Sequence, residues 1–233
     1  MITKAMILAA GRGERLRPIT DSIPKPLVDV GGASLVAHHI CRLAAAGIKD
    51  IVINTAWLGE KLEEAVKDGS DFGVCVSWSR EPAGGLETAG GLRRALALLG
   101  DEPFLVVNGD TYMDADYGAF DVPEGWKLAA HLWLVANPKH HPQGDFSLEN
   151  GLVRPMPRYT FSGAAVYNPE HVARIPDARG PLKPWFERWM EQDLVSGQLL
   201  SGAWFDVGTV QRLEETRTYA LAHPNPTLSR RRT

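Results

Sequence analysis

MILAAGRGERLRPITDSIPKPL, residues Met6 to Leu27, decides how this chain is read. Met6-Ile7-Leu8-Ala9-Ala10 is an apolar run of the length of a buried strand. Gly11 and Gly13 break it, and Arg12, Arg15, Arg17 and Lys25 follow among Pro18, Pro24 and Pro26. From Lys4 to Lys25 those four cations and Lys4 outnumber Glu14 and Asp21, a local charge of +3 in a chain of formal charge -3. A cationic, glycine-rich loop at the carboxyl end of a first strand is where an α/β fold receives phosphates. Glycine lets backbone N–H groups approach the ligand, and guanidinium forks match phosphate oxygens.

Two familiar phosphate loops are excluded. A dinucleotide turn needs G-x-G-x-x-G running into a helix. Gly11-Arg12-Gly13-Glu14-Arg15-Leu16 lacks the third glycine, and Pro18 blocks a regular helix two residues on. No Gly-Lys-Ser/Thr follows, so it is not a P-loop either. A plain surface loop has little reason to combine this many prolines and arginines.

Outward from this loop the pattern alternates. Ser34 caps a helix carrying Val36, Ile40, Leu43 and Ala44, closed near Gly47. Strands follow at Ile51-Asn54, Val74-Trp78 and Phe104-Val107, separated by helices through Trp57-Val66 and from Thr88 to Leu99. This predicts an α/β fold with a doubly wound, mostly parallel mixed sheet, whose ligands bind beyond the carboxyl ends of the strands. The loop from Ser79 to Thr88, Asn108 and Asp110 fall on that edge with the cationic loop. Further on, the sequence predicts a strand at Leu128-Val135 and a hairpin at Asn150-Gly151. A strand at Tyr159-Tyr167 follows, then one at Ala203-Thr209 leading into a last helix through Leu213-Leu221. Leu182, Trp185, Phe186, Trp189 and Met190 form a helical core stripe. We expect one domain over 1–223, with a nucleotide-binding half (1–120) and a sugar-binding half (121–223), and a polar, solvated tail over 224–233 containing Arg230, Arg231 and Arg232.

The totals fit an ordinary globular enzyme. The chain has 233 residues, 44% apolar and 23% charged. A net charge of -3 argues against nucleic acid as the main partner. No stretch is long enough to span a membrane and no signal peptide is evident, so a cytoplasmic location is expected. Cys41 and Cys75 lack metal-ligand spacing and read as buried reduced thiols. Oligomeric state is not readable.

Asp110 closes an apolar strand on the ligand edge, and Asp206 sits between an apolar run and a glycine. Each has an alternative, Asp110 as a turn residue and Asp206 as a helix-entry cap. Brought together, two carboxylates repel unless a cation lies between them, and Mg2+ suits oxygen donors that leave places for phosphate. Asp110 and Asp206 are therefore the candidate metal ligands.

Leu8-Ala9-Ala10-Gly11-x-Gly13-x-Arg15-Leu16-x-Pro18-x-Thr20, with Pro24-Lys25-Pro26-Leu27, resembles the signature of the sugar-1-phosphate nucleotidyltransferases. The resemblance implies a Rossmann-like nucleotidyltransferase fold, and a reaction joining a nucleoside triphosphate to a sugar 1-phosphate with loss of pyrophosphate. It implies Arg15, Lys25 and Asp110 as catalytic residues. Leu8, Ala10, Gly11, Arg12, Gly13, Glu81, Gly85, Thr88 and Asn108 would bind the nucleotide. Glu87, Asp145, Ser162 and Gly163 would bind the sugar. Gly85-Leu86-Glu87-Thr88-Ala89-Gly90 resembles the base and ribose loop, and Glu81-Pro82 stands where many relatives carry Gln-Pro. One departure is plain: many relatives have Glu-Lys-Pro before the sugar-side strand, and this chain has Val153-Arg154-Pro155, with Arg154 as the only substitute for that lysine. Asn137-Pro138-x-His140-His141-x-x-Gly144-Asp145-Phe146 and Phe161-Ser162-Gly163 are most similar to the N-acetylmuramate 1-phosphate uridylyltransferases of cell-wall recycling, compact members without a C-terminal β-helix. UTP is thus the favoured triphosphate. The alternatives are a guanylyltransferase for mannose 1-phosphate or heptose 1-phosphate, a glycosyltransferase using Asp114-Ala115-Asp116 as a metal-binding D-x-D, and a non-catalytic nucleotide sensor. His140 and His141 have no third ligand spaced for zinc, and Asp145 could accept sugar hydroxyls or help bind a second metal.

Overall fold

In a computed structural model that describes residues 1–228, the first strand, β1 (Lys4–Leu8), lies near the middle of an eight-stranded sheet. It begins two residues before the apolar run and stops at Leu8, so Ala9 and Ala10 already belong to the loop. A short helix α1 (Ile19–Ser22) and a two-stranded ribbon, β2 (Asp29–Val30) with β3 (Ala33–Ser34), precede α2 (Leu35–Ala45). The Ser34 hydroxyl accepts from Ala37 N–H at the start of α2. Then come β4 (Asp50–Thr55), α3 (Gly59–Val66), β5 (Cys75–Arg80), α4 (Glu87–Leu99) and β6 (Phe104–Asn108). The second half holds β7 (Thr111–Asp114), β8 (Ala130–Val135), β9 (Phe146–Glu149) and β10 (Leu152–Tyr167). It ends with α5 (Pro169–Val172), α6 (Lys183–Met190), β11 (Val195–Leu199), β12 (Ala203–Asp206) and α7 (Val210–Ala222).

The sheet order is β11-β8-β10-β6-β1-β4-β5, with β9 paired to β10. Strands β6, β1, β4 and β5 run parallel. β10 returns antiparallel beside β6, with Ala164 opposite Val107. The period-two alternation of each strand sorts the core onto two faces. Met6, Val52 and Val106 pack with Leu92 of α4 and Phe186 of α6. Ile7, Ile51, Ile53 and Val107 pack with Ile40 of α2 and Leu62 of α3. That is the doubly wound, mostly parallel arrangement.

The second half contains more than the sequence predicts. β10 is one 16-residue strand rather than a hairpin arm and a separate strand. Its turn from β9 is nevertheless Asn150-Gly151, both with positive φ as a two-residue hairpin requires. β7 and β12 form their own antiparallel ribbon, Thr111 opposite Asp206. Leu16, Val28, Tyr112, Val207 and Leu213 make a third small core beneath that ribbon, which fixes the cationic loop and α7 to it.

Two expectations need correction. Cys41 is buried, but Cys75 at the start of the edge strand β5 is exposed. The tail is not wholly solvated: Asn225 is buried, its amide against His38 Nδ1 and its side-chain oxygen accepting from Thr227 N–H. Arg230, Arg231 and Arg232 lie outside the described residues. Among those described, no helix is long and apolar enough to cross a membrane.

Candidate active site

Four strands deliver the site. β1, β4, β5 and β6 all end on one edge, at Leu8, Thr55, Arg80 and Asn108. β10 enters the same edge from the other direction, and its register shifts between Phe161 and Ala165. That bulge carries Gly163 at φ +84, where a Cβ would lie 2.7 Å from Asn108. The glycine lets β10 press against the end of β6, so β10 and Asn108 share one wall.

Lys25 and Asp110 meet at this edge. Lys25 sits between Pro24 and Pro26 and is 6% exposed, and its Nζ is 2.7 Å from Asp110 Oδ2. Gly13 is the reason the loop closes over it. At φ +68, a Cβ there would come within 3.1 Å of the Lys25 side chain, and its carbonyl accepts from the Thr20 hydroxyl. Asp206 arrives through the ribbon, since Val207 N–H donates to the Asp110 carbonyl at 3.1 Å. Its Oδ2 takes Arg212 Nη1 at 3.0 Å and faces His140 Nε2 at 3.3 Å. The helix-entry cap is supplied by the Thr209 hydroxyl, not by Asp206.

Around these groups lies a cavity of about 340 Å³, lined by Arg15, Asn108, Asp110, His141, Asp145 and Asp206, among others. Arg15 is exposed there, and no ion pair of it forms among the described residues. Arg12 instead stacks its guanidinium 4.4 Å above the Trp57 ring. The Trp57 indole N–H donates to the Thr20 carbonyl. Asp110 and Asp206 thus present hard oxygen donors on one cavity wall, each steadied by a cation. That donor set fits a divalent ion which keeps places for phosphate oxygens.

A second cavity, about 490 Å³, shares Asn108, Asp145 and Phe161 with the first. Leu8, Glu87, Thr88, Gly163 and Lys183 also line it. Asp145 stands at the junction, taking His141 Nε2 at 3.0 Å and Phe161 N–H at 2.8 Å. The histidine pair therefore lies against site carboxylates, His140 on Asp206 and His141 on Asp145.

Several residues do other work than the sequence suggests. The Ser162 side chain is fully buried, donating to the Trp133 carbonyl and accepting Ala164 N–H, so its hydroxyl holds the bulge where the residue lines the first cavity. Both oxygens of Glu81 are engaged, one by Asn54 Nδ2 at 2.7 Å and one by Leu86 N–H at 2.6 Å. Glu81 is thereby a brace for the loop through Gly85, which itself takes φ +69. Arg154 is committed to Asp193 and Glu149 and lines neither cavity, which removes it as the missing lysine's substitute. Asp114-Ala115-Asp116 is structural: Asp114 pairs with buried Arg42 at 2.7 Å and accepts the Tyr219 hydroxyl, while Asp116 accepts Gly118 N–H. The D-x-D alternative loses its ligands.

Sequence reasoning passed over Asn54 and Lys183. Asn54 is buried at the end of β4, where its Oδ1 accepts Ala9 N–H at 2.6 Å. With Glu81 it links the loop after β1 to the loop before α4. A polar residue ending an apolar strand on the ligand edge was its only signal. Lys183, flanked by Pro181 and Pro184, had none beyond opening a core-packed helix.

The chain is similar in sequence and in fold to known proteins. A family model described as Nucleotidyl transferase matches residues 4–122. An N-acetylmuramate alpha-1-phosphate uridylyltransferase of Neisseria meningitidis is 53% identical, over 94% of this chain and 99% of that one. One of Caulobacter vibrioides is 34% identical over 89% and 92%. A mannose-1-phosphate guanyltransferase of Schizosaccharomyces pombe is 32% identical, with 88% of this chain covering 61% of that longer protein. In fold, the chain superposes with a TM-score of 0.83 on a crystal structure described as a glucose-1-phosphate thymidylyltransferase from Bacillus anthracis, 24% identical, over 94% and 95% of the two chains.

Proposed function

The chain belongs to the nucleotidyl transferase family as a sugar-1-phosphate nucleotidyltransferase, and from that premise we propose that it joins UTP to N-acetylmuramate 1-phosphate, releasing pyrophosphate. The observation that carries the assignment of roles is the Lys25–Asp110 contact at 2.7 Å, with Asp206 brought beside it by the β7–β12 ribbon. In the reaction an oxygen of the sugar phosphate attacks the α-phosphorus. A new P–O bond forms as the α–β bridging bond breaks, and its electrons leave with pyrophosphate. Both reactants are anions, so alignment and charge neutralisation are most of the task. Arg15 supplies a mobile guanidinium for the leaving phosphates. Lys25 supplies a buried ammonium beside the reacting phosphate. The loop Ala10-Gly11-Arg12-Gly13 offers backbone N–H groups. Gly85 and Thr88 border the nucleoside, and Glu87, Asp145 and the Gly163 backbone border the sugar. Asp110 and Asp206 would hold Mg2+, which when bound supplies positive charge to phosphate oxygens. Among the described residues no paired Ser-His-Asp nucleophile forms, which suits direct displacement.

Support for uridylyl transfer comes from the relatives of Neisseria and Caulobacter. This activity belongs in the cytoplasm, where nucleoside triphosphates are available. The test is a matrix of four nucleoside triphosphates against several sugar 1-phosphates, read by pyrophosphate release. UTP with N-acetylmuramate 1-phosphate is expected to give the largest signal. A GTP-only response would reject the specificity and spare the reaction class.

A further inference from the structure

We propose that Lys183 is a specificity residue that pairs with the carboxylate of an acidic sugar 1-phosphate; this rests on the reading of N-acetylmuramate 1-phosphate as substrate. That sugar differs from N-acetylglucosamine 1-phosphate by a lactyl ether ending in a carboxylate. The charged side chains on the wall of the sugar cavity are Glu87, Asp145 and Lys183. A substrate bearing both phosphate and carboxylate meets two acids there, so entry requires a cation that is not already engaged. Glu87 is paired with Arg179 at 3.1 Å, and Asp145 is hydrogen-bonded by His141 and the Phe161 N–H. Lys183 forms no ion pair or hydrogen bond among the described residues, and its side chain is exposed on that wall.

Its place is fixed from below. Lys183 opens α6, whose Phe186, Trp189 and Met190 are buried in the core, and Pro181 and Pro184 restrict the backbone on either side. The sugar cavity joins the phosphate-side cavity through Asn108, Asp145 and Phe161, and Lys183 lies on the part of the wall the two do not share. A sugar whose phosphate points toward Asp110 therefore turns its ring substituents toward Lys183. Arg154 lines neither cavity and is paired with Asp193.

The experiment measures steady-state kinetics with UTP on the wild type, Lys183→Met and Lys183→Arg, with N-acetylmuramate 1-phosphate and N-acetylglucosamine 1-phosphate as the competing acceptors. Lys183→Met should raise KM for the acidic sugar about tenfold, the usual loss of one charged hydrogen bond. It should leave kcat and the KM for UTP within about twofold. The neutral sugar should change less than about twofold, and Lys183→Arg should recover most of the loss. Equal losses on both sugars would mean a structural role and overturn the proposal. An unchanged ratio between them would overturn it while leaving the uridylyl reading intact. A wild type that ignores the acidic sugar would overturn both.

Discussion

Lys25 is a buried cation whose single ion pair among the described residues is with Asp110. A fully desolvated lysine is costly to bury for a fold and is retained here at the mouth of a cavity. Lys25→Met keeps its aliphatic length, so the loop should still fold over Gly13 while the ammonium is lost. The expected result is a fall in kcat of at least about a hundredfold with the melting temperature little changed, read by pyrophosphate release and a thermal melt. Arg15 is exposed and forms no ion pair among the described residues, so Arg15→Ala should leave stability untouched. It should lower kcat/KM by roughly ten- to a hundredfold, the worth of one charged hydrogen bond. A silent Arg15→Ala would remove it from the reaction. At this scale the sequence was most legible. Lys25, Arg15, Asp110 and Asp206 could be named because residue types such as arginine and aspartate carry their chemistry with them. Ser162 could not be read correctly, because whether its hydroxyl faces a cavity or Trp133 depends on a bulge that Gly163 creates only once β10 pairs with β6.

Two connections between elements hold the site's parts in register. Asn54 bridges the loop after β1 and, through Glu81, the loop before α4. Asn54→Ala strands the Ala9 N–H and half of Glu81 without partners, at about 1–3 kcal/mol for each buried group left unpaired. It should raise KM for the triphosphate about tenfold, with a matching drop in the denaturation midpoint. Glu81→Gln, which can still accept from Leu86, should do less. The second connection is Arg42 of α2 with Asp114 of β7 and Tyr219 of α7. Asp114→Ala leaves the buried guanidinium without its counter-charge and should cost about 3 kcal/mol, measured by urea unfolding. Asp116→Ala should cost about 1 kcal/mol or less, as expected for loss of a turn cap. If Asp114→Ala abolished turnover without destabilising the chain, the D-x-D alternative would return. The alternation of β1 to β6 was legible from periodicity, since parallel strands buried on both faces read as apolar runs. β7 and β11 were not, because Tyr112 and Met113 in one, and Gly197 and Gln198 in the other, follow no alternation and are strands only through their neighbours.

Across the whole molecule, burial has left several histidines without charge, and that sets how stability responds to acid. His39 is almost wholly buried between α2 and β7, and desolvation lowers its pKa from 6.5 to about 4. Its two nitrogens are 2.7 Å from the Tyr117 hydroxyl and 2.8 Å from the Thr111 carbonyl. A neutral ring satisfies both, with Nε2–H donating to the carbonyl and Nδ1 accepting the phenol. Because Thr111 follows Asp110, this ring also fixes the strand that presents the site. His131 is likewise lowered to about 4 by burial, and His38 is lowered, again chiefly by desolvation. A depressed histidine binds its proton in the unfolded chain before it does in the folded one. Its contribution is therefore complete above pH 6.5 and is lost as the pH falls from 6.5 toward 4. For His39 alone the loss approaches about 3 kcal/mol. Urea unfolding at pH 7.5, 6, 5 and 4.5 should show stability falling over that window, at a slope steeper than one proton per molecule. His39→Gln keeps a donor and an acceptor in place and cannot titrate. It should start less stable at pH 7.5 and fall with a slope shallower by about one proton, ~1.4 kcal/mol per pH unit. An unchanged slope in His39→Gln would mean that the ring takes up its proton without unfolding, and that water reaches the contact between α2 and β7, the strand that follows Asp110.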